Sequence, residues 1–316
     1  PALATGPGQA YSRRVSRGFS GPGGRFPPRL REVGDVKQIA IITGGASGIG
    51  LALGAALVNR GWHVVLDDIQ DVKAKDEADR LTRSGPGTAV GAGVDVRDAD
   101  PLIALVQDTQ AEHGRLDLMA NNAGIGIGGE PDELQLVHWN TIIDTNLRGV
   151  IHGCHAAYPL MKQQGFGTIL NTASMAGLAP AFGQHAPYGT TKYGVVGLSL
   201  NLRAAAKDYG VHVSVLCPGW IDTPMLDDSW PEDLPVPPSF AGAPPVRESL
   251  AKAGIKLYPV DRLAEDTLAG LEKDKAVLVI PREWQRAWFI SRLFPGMVMR
   301  RAEQFTTRVR QGLLTG

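Results

Sequence analysis

The chain has 316 residues but only two cysteines, Cys154 and Cys217, and both stand in apolar stretches. Two thiols are too few for a disulfide framework, so we expect buried free cysteines and a reducing, cytoplasmic location. Neither cysteine belongs to a pattern of Cys and His residues with the spacing of a metal site, so no metal is expected. No apolar run approaches the ~18 residues that a membrane-spanning helix needs.

Charge is balanced in total but unevenly distributed. Residues 1–31 hold six arginines and no acid, and residues 282–316 hold seven arginines and two glutamates. Because Lys and Arg number 32 and Asp and Glu also number 32, the intervening segment carries about eleven net negative charges. An acidic central segment argues against nucleic acid as a partner.

The first 35 residues are rich in Gly, Pro, Ser and Arg and lack hydrophobic periodicity, which predicts a disordered leader. An Arg-rich, acid-poor leader also resembles a mitochondrial transit peptide, although its glycines and prolines oppose an amphipathic helix. A third interpretation is that the natural start lies near Val33 and that the leader is translated upstream sequence.

From residue 36 to 281, strand and helix signals alternate with short connections. This alternation predicts an α/β fold with a doubly wound parallel sheet, a Rossmann fold, as a single domain with a helical C-terminal extension. The predicted strands are 38–43, 63–66, 89–94, 116–120, 168–171, 211–216 and 276–280. One helix is predicted after the first strand, with a core stripe that starts at Ile49 and an end at Gly61. The other predicted helices are 73–83, 100–113, 132–163 with a break, and 188–208.

Two segments fall outside this alternation. Residues 224–257 begin with a proline-rich stretch just after a strand, where ligands bind in such sheets, so we predict a substrate lid. Residues 282–316 form a basic amphipathic extension interrupted at Pro295-Gly296. Packing of its apolar face on its own domain or on a sister subunit is favoured over contact with a membrane surface or with the substrate pocket.

A glycine-rich segment, Thr43-Gly-Gly-Ala-Ser-Gly-Ile-Gly50, follows the first predicted strand and precedes a helix. Glycines let backbone N–H groups approach a pyrophosphate, and the helix N-terminus adds partial positive charge. The segment therefore predicts a dinucleotide site. Its expected contact residues are Gly44, Ser47, Gly48, Ile49 and Gly50.

Two aspartates close the second strand, at a position suited to the adenosine ribose. We assign the ribose hydroxyls to Asp68 and expect Asp67 to be a turn or solvent residue, because successive side chains of a strand point to opposite faces. A carboxylate there repels a 2′-phosphate, and no cation stands at Ser47, Ile69 or Gln70. NAD is therefore predicted over NADP.

Tyr188 and Lys192 are four residues apart on a predicted helix and so share one face. An ammonium beside a phenol favours the phenolate, so we expect Lys192 to lower the pKa of Tyr188 toward that of a general base. Ser174 can hold a substrate oxygen, or else cap the end of its strand. His185 is expected to line the pocket rather than to react.

These motifs, in this order, resemble the short-chain dehydrogenase/reductase family from about Lys37 to Ile280. The resemblance implies that Asp95 and Val96 flank the adenine. It also implies that the segment Asn121-Asn122-Ala123-Gly124 shapes the cofactor floor and that Asn146 bends its helix and holds a proton-relaying water. Further nicotinamide contacts are implied for the segment after the sixth strand, at Pro218, Gly219, Ile221 and Thr223.

The combined prediction is an NAD-dependent short-chain alcohol dehydrogenase or ketoreductase with Asn146, Ser174, Tyr188 and Lys192 as catalytic residues. Its substrate is expected to be a hydrophobic secondary alcohol or ketone, and the resemblance implies a homodimer or homotetramer. Two alternatives remain open: a non-catalytic NAD-sensing module, and a membrane-peripheral reductase recruited by the C-terminal extension. The expected substrate-facing residues are Ile125, Ile127, Met175, Leu178, Phe182, Trp220 and Met225.

Overall fold

A seven-stranded, entirely parallel sheet forms the centre of the computed structural model, which describes residues 37–180, 183–227, 230–231 and 233–311. The predicted leader lies outside these residues. The strand order is β3-β2-β1-β4-β5-β6-β7. The strands are β1 Ile39–Thr43, β2 His63–Asp67, β3 Thr88–Ala92, β4 Leu118–Asn121, β5 Gly167–Thr172, β6 Val211–Pro218 and β7 Val277–Ile280.

Helices cover both faces of this sheet, as a doubly wound fold requires. The helices are α1 Gly48–Val58, α2 Asp71–Ser84, α3 Ala99–His113, α4 Leu136–Ile143, α5 Gly149–Gln164, α6 Ala186–Ala206, α7 Val246–Lys252, α8 Val260–Leu271, α9 Glu283–Leu293 and α10 Pro295–Arg310. On one face, α1, α2 and α8 share a buried cluster with β1 and β2. On the other, α3, α5 and α6 share a second cluster.

The apolar runs explain why the strands form at the centre of the molecule. All five residues of β1, with the sequence IAIIT, are buried, as expected for a strand covered by helices on both faces. The seven strands lie within two residues of the predicted bounds at each end. The α/β, doubly wound parallel architecture is confirmed.

The helix predicted at 132–163 with a break begins at Leu136 and has no gap; a change of hydrogen-bond pattern divides it instead. The helix α4 ends at Ile143, a π-helical turn occupies Asp144–Arg148, and α5 continues from Gly149. Such turns bulge the backbone outward at one point and are frequent at functional sites. Asn146 stands at the centre of this turn and is fully buried.

Helices α7 and α8 were not predicted, and the extension consists of two helices that meet at Pro295. The segment 224–257 contains a short 3-10 turn, Pro224–Leu226, as well as α7. No helix in the described part of the chain is both long and apolar enough to cross a bilayer. The strand order reverses direction between β1 and β4, which places a crevice at the carboxyl ends of these strands.

Candidate active site

The glycine-rich turn between β1 and α1 lies at this crevice. Gly44 and Gly48 have φ angles of 64° and 52°, in the left-handed region that glycine adopts without strain. A Cβ on Gly50 would overlap the carbonyl oxygen of Gly44 and lie 2.7 Å from the amide nitrogen of Asn122. The turn is therefore a close-fitting backbone cradle ahead of the N-terminus of α1, which fits a dinucleotide pyrophosphate.

The chain that leaves β4 holds this turn in place. The backbone N–H groups of Asn122 and Ala123 donate to Thr43 Oγ1 at 3.0 and 3.1 Å. The side-chain amide of Asn122 donates to the carbonyl oxygens of Thr43 and Gly44 at 3.1 and 3.3 Å. Asn122 thus holds the glycine-rich turn, which forms the floor of the predicted cofactor site, in a fixed shape.

Asp68 lies beside the same turn. One carboxylate oxygen accepts the Ala46 N–H at 3.1 Å, and the other accepts the Gln70 N–H at 3.0 Å. These bonds orient the carboxylate at the carboxyl end of β2, where an adenosine ribose fits.

The expectation that Asp67 is a turn or solvent residue is wrong. It ends β2 with an exposed fraction of 0%, and one of its oxygens accepts the Val94 N–H at 3.0 Å. The pKa of Asp67 is raised to about 7, mainly by burial; the hydrogen bond from Val94 opposes this rise, and the charges of Asp68 and Asp95 add to it.

This raised pKa predicts a pH-dependent stability. A carboxyl group whose pKa rises from 3.8 in the unfolded chain to about 7 in the fold makes the native state bind more protons between these values. Stability should therefore fall as pH rises through this window, by at most roughly 1.4 kcal/mol per pH unit. We expect Asp67→Asn to be more stable relative to the wild type at pH 7.5 than at pH 4.5, as measured by urea unfolding.

The control for this experiment is Asp79→Asn, an exposed acid on α2. It should leave the difference in unfolding free energy between the two pH values unchanged. An equal difference in the wild type and in Asp67→Asn would mean that Asp67 is ionised in the fold over the whole range.

Asp95 and Val96, implied to flank the adenine, follow β3 on the same side of the sheet. The carboxylate of Asp95 pairs with the guanidinium of Arg97 at 2.6 Å, whereas Val96 is buried against Gly149. Burial raises the pKa of Asp95, but the hydrogen bonds from Arg97 outweigh it and the net shift is downward. A contact with adenine remains a prediction for both residues.

The side chains of Ser174, Tyr188 and Lys192 come together where β5 and α6 meet the crevice. The hydroxyl of Ser174 lies close enough to the phenol of Tyr188 to lower its pKa. Ser174 also caps the 3-10 turn Met175–Gly177, because its Oγ accepts the Ala176 N–H at 3.1 Å. Both interpretations of Ser174, a strand-end cap and a hydroxyl at the reaction centre, therefore agree with the structure.

Lys192 is buried behind the tyrosine ring. Its ammonium donates to the Thr172 carbonyl at 3.0 Å and lies 5.5 Å from the centroid of the Tyr188 ring. Burial lowers the pKa of Lys192 to about 8, while a nearby Cys217 thiolate would raise it.

The expectation that Lys192 lowers the pKa of Tyr188 is not met in this structure. Burial raises the pKa of Tyr188, the hydrogen bond with Ser174 lowers it, and Cys217 acts in the upward direction. The physical reason is that the phenolate loses hydration in the crevice. The ammonium, 5.5 Å from the ring, is also desolvated and directed to the Thr172 carbonyl.

Asn146 ties the loop after β4 to the bend between α4 and α5. Its side-chain oxygen accepts the Ile125 N–H at 2.8 Å, and its amide donates to the Ile125 carbonyl at 2.9 Å. Between it and the lysine stands Gly124, where a Cβ would lie 3.2 Å from Asn146 Oδ1 and 3.5 Å from Lys192 Nζ. A π-helical turn stands where the bend at Asn146 was predicted, and the water relay remains a prediction.

The segment after β6 runs back toward the glycine-rich turn. The backbone of Asp222 donates to Tyr258 and that of Tyr258 donates to Trp220, each at 2.9 Å, and Ile221 between them is buried. A Cβ on Gly48 would lie 3.5 Å from the side chain of Thr223. The predicted nicotinamide-covering segment therefore borders the cofactor cradle.

Apolar side chains surround the phenol of Tyr188. It packs in one cluster with Ile125 and Ile127 from the loop after β4 and with Trp230 and Leu234 from the predicted lid. Met225 is 41% exposed in this structure, and Phe182 lies outside the described residues. Burial lowers the pKa of His185, which adjoins Gly128 at the rim.

The C-terminal extension contributes residues that the sequence did not single out. A Cβ on Gly219 would overlap Trp284 of α9, so this indole closes over the segment after β6. At the end of α10, Arg310 pairs at 2.6 Å with Glu130, which also accepts from Gln184 at 2.8 Å. The amphipathic pattern of 282–316 indicated that the segment packs against another surface, but it did not identify the residues of that surface.

A family model described as short chain dehydrogenase matches residues 38–234. A D-beta-hydroxybutyrate dehydrogenase of Cupriavidus necator is 32% identical over 190 residues, which cover 60% of this chain and 72% of that protein.

Two solved structures share the fold over 83% of this chain and 95% of theirs, each with 24% sequence identity. One is a short chain dehydrogenase/reductase of Burkholderia phymatum in complex with NAD, with a TM-score of 0.73. The other is a short-chain dehydrogenase of Sphingobium yanoikuyae in complex with NADPH, with a TM-score of 0.66. The two neighbours thus hold different nicotinamide cofactors in one fold.

Proposed function

Because the chain belongs to the short-chain dehydrogenase family and is therefore an oxidoreductase, we propose that it oxidises hydrophobic secondary alcohols to ketones, reversibly and with NAD. The observation that carries this proposal is the placement of the Ser174 hydroxyl close to the phenol of Tyr188, beside the buried ammonium of Lys192. A phenol and a hydroxyl that both face one crevice can engage a single substrate oxygen.

In the proposed mechanism, Tyr188 is the general base that takes the hydroxyl proton of the alcohol, and Ser174 holds the same oxygen in position. Lys192 contributes positive charge that favours the phenolate once substrate and cofactor fill the crevice. Asn146 holds the water that carries the proton away. NAD, when bound, supplies the hydride-accepting chemistry.

The dinucleotide would lie along the cradle already described. Backbone N–H groups between Gly44 and Gly50 would hold the pyrophosphate, and Asp68 would accept the ribose hydroxyls. The segment from Pro218 to Thr223 would cover the nicotinamide. The close packing at Gly50 and the oriented carboxylate of Asp68 support this fit.

Asp68→Asn tests the preference for NAD. Removing the charge weakens the hydrogen bonds to the ribose, and hydrogen bonds to charged groups contribute about 1.5–3 kcal/mol each. It also weakens the repulsion of a 2′-phosphate. We expect the ratio of kcat/KM for NAD to that for NADP to fall by about 10- to 100-fold. Steady-state kinetics with both cofactors measure this ratio.

A suitable control is Asp71→Asn, which removes the same charge three residues further along, in an exposed pair with Lys75. It should leave the cofactor ratio at the wild-type value. An unchanged ratio in Asp68→Asn would remove the support for NAD from this residue.

The substrate class is inferred from this chain rather than from its relatives. The cluster around Tyr188 is apolar, and Arg310 near the mouth is already paired with Glu130. The relative from Cupriavidus necator is named for a hydroxy acid, whereas an apolar cluster favours uncharged substrates. Reduction of NAD should rise with apolarity across a panel of secondary alcohols, and faster turnover of polyols would refute the class.

We also propose a homodimer or homotetramer. Exposed apolar side chains on the outer faces of α5 and α6, including Ile151, Tyr193 and Leu200, support an interface there. Light scattering coupled to gel filtration tests this proposal, and a monomer at micromolar concentration would contradict it.

A further inference from the structure

The helices α9 and α10 present two chemically different faces. Trp284 and Trp288 of α9 pack against the core beside α6, and Ser291 Oγ lies 3.5 Å from the carbonyl oxygen of Leu178. Farther along, α10 contacts the turn Gly183–His185. The inner face of the extension is thus covered by the protein's own domain, as predicted.

The outer face is apolar and exposed. Phe289, Ile290 and Leu293 recur on one side of α9 at helical spacing, and Phe294 and Met299 continue the surface across the turn into α10. We call these five residues the apolar corner. Phe289 is 63% exposed and Phe294 is 58% exposed. Large apolar side chains clustered in water in this way mark an interaction surface.

Arginines flank the apolar corner. Between residues 286 and 301 the chain has four arginines and no acid. All four side chains are exposed, and within the described residues none of them takes part in a salt bridge. The four are Arg286, Arg292, Arg300 and Arg301. Arg292 lies 5.7 Å from the centroid of the Trp288 ring. Aromatic and aliphatic side chains flanked by arginines without a carboxylate partner are the chemistry of helices that lie in the interface of an anionic lipid bilayer.

We propose that the apolar corner docks on an anionic lipid surface. Charge complementarity favours lipid over a second copy of the chain, because a symmetric contact through this face would bring the same arginines of two copies together. The side chains also stand at the outside of a helix-to-helix turn, where Pro295 and Gly296 are exposed too, so they can enter the headgroup region without unfolding any helix.

The helices that carry the apolar corner contact the chain near the candidate active site. The helix α9 contacts the chain just after Ser174, and α10 ends at Glu130 beside the lid. A bilayer at the corner would therefore lie on the side of the molecule where the crevice opens. Only the significance of this placement beside the crevice rests on the proposed function. The docking itself requires no catalysis.

Flotation with lipid vesicles tests the docking. The probes are vesicles of phosphatidylcholine alone and vesicles that also contain phosphatidylserine, in low-salt buffer. We expect full-length protein to float only with the anionic vesicles, and added salt to reduce this binding. The apolar variant Phe289→Ser/Phe294→Ser and the charge variant Arg300→Gln/Arg301→Gln should each reduce the bound fraction at limiting lipid by about tenfold or more.

Matched variants on exposed parts of other helices act as controls. Val72→Ser/Leu136→Ser removes two exposed apolar side chains, and Lys73→Gln/Arg83→Gln removes two exposed charges. Both controls should float like the wild type, and all four variants should keep the wild-type melting temperature because every substituted side chain is exposed.

Three results would overturn the proposal. They are absence of flotation at low salt, equal flotation with neutral and anionic vesicles, and corner variants that float like the controls. The last result would assign the binding to another part of the chain, such as the Arg-rich leader. Because flotation requires neither NAD nor substrate, it succeeds or fails independently of the proposed reaction.

Discussion

Tyr188→Phe is expected to lower kcat for alcohol oxidation by about 10²- to 10⁴-fold, the range that a positioned general base contributes. The substitution removes only the phenolic hydroxyl, so the ring can keep its packing against Ile125 and Ile127. Affinity for NAD and the melting temperature should therefore change little. Steady-state kinetics, calorimetric titration with NAD and thermal unfolding measure the three quantities.

The matched control is Tyr193→Phe, five residues further along α6, where the phenol is 48% exposed. It makes the same chemical change outside the crevice and should keep wild-type kcat. If Tyr188→Phe keeps full activity as well, another group is the base. If the wild type binds NAD but turns over no alcohol, the result supports the NAD-sensing interpretation and contradicts the proposed mechanism.

The second large effect is expected at the glycine-rich turn. In Gly50→Ala the added methyl would overlap the carbonyl oxygen of Gly44, and it would lie 2.7 Å from the Asn122 amide that braces the turn. Overpacking against backbone typically costs about 1–3 kcal/mol of stability. Because the cradle itself must open, we expect NAD affinity to fall by at least about tenfold together with stability.

Gly197→Ala is the control for this substitution. It lies within α6, and nothing stands within 4 Å of an added Cβ. An alanine inside a helix should raise the unfolding free energy by roughly 0.5–1 kcal/mol and leave NAD affinity unchanged. Wild-type NAD affinity in Gly50→Ala would contradict the assignment of this turn to the pyrophosphate. For both variants, calorimetric titration measures the affinity for NAD, and urea unfolding measures the unfolding free energy.

The strands were predictable because each one carries its own signal. A run such as Ile39–Thr43 is apolar throughout, and this is typical of strands covered on both faces wherever the neighbours lie. The helix α7 escaped prediction because it is only seven residues long within a proline-rich region. The helix α8 has a clear apolar stripe in the structure and could have been found by its period.

Candidate site residues were predictable where local spacing alone brings them together. Tyr188 and Lys192 share a helix face at any position in the fold, and the left-handed backbone at Gly44 and Gly48 suits a residue without a side chain. The direction of the pKa shift of Tyr188 was not predictable in this way. It depends on how much water reaches the phenol, which Trp230 and Leu234 of the lid help to limit.

The sequence by itself thus determined the parallel sheet, the glycine-rich turn, and the serine, tyrosine and lysine set, since apolar runs, backbone freedom and helical spacing are local properties of the chain. Only the tertiary structure decided that Asp67 is buried, that Trp284 closes over Gly219, and that Arg310 pairs with Glu130 across 180 residues. Burial and ion pairing depend on which distant segments meet, because desolvation and Coulomb attraction act through space.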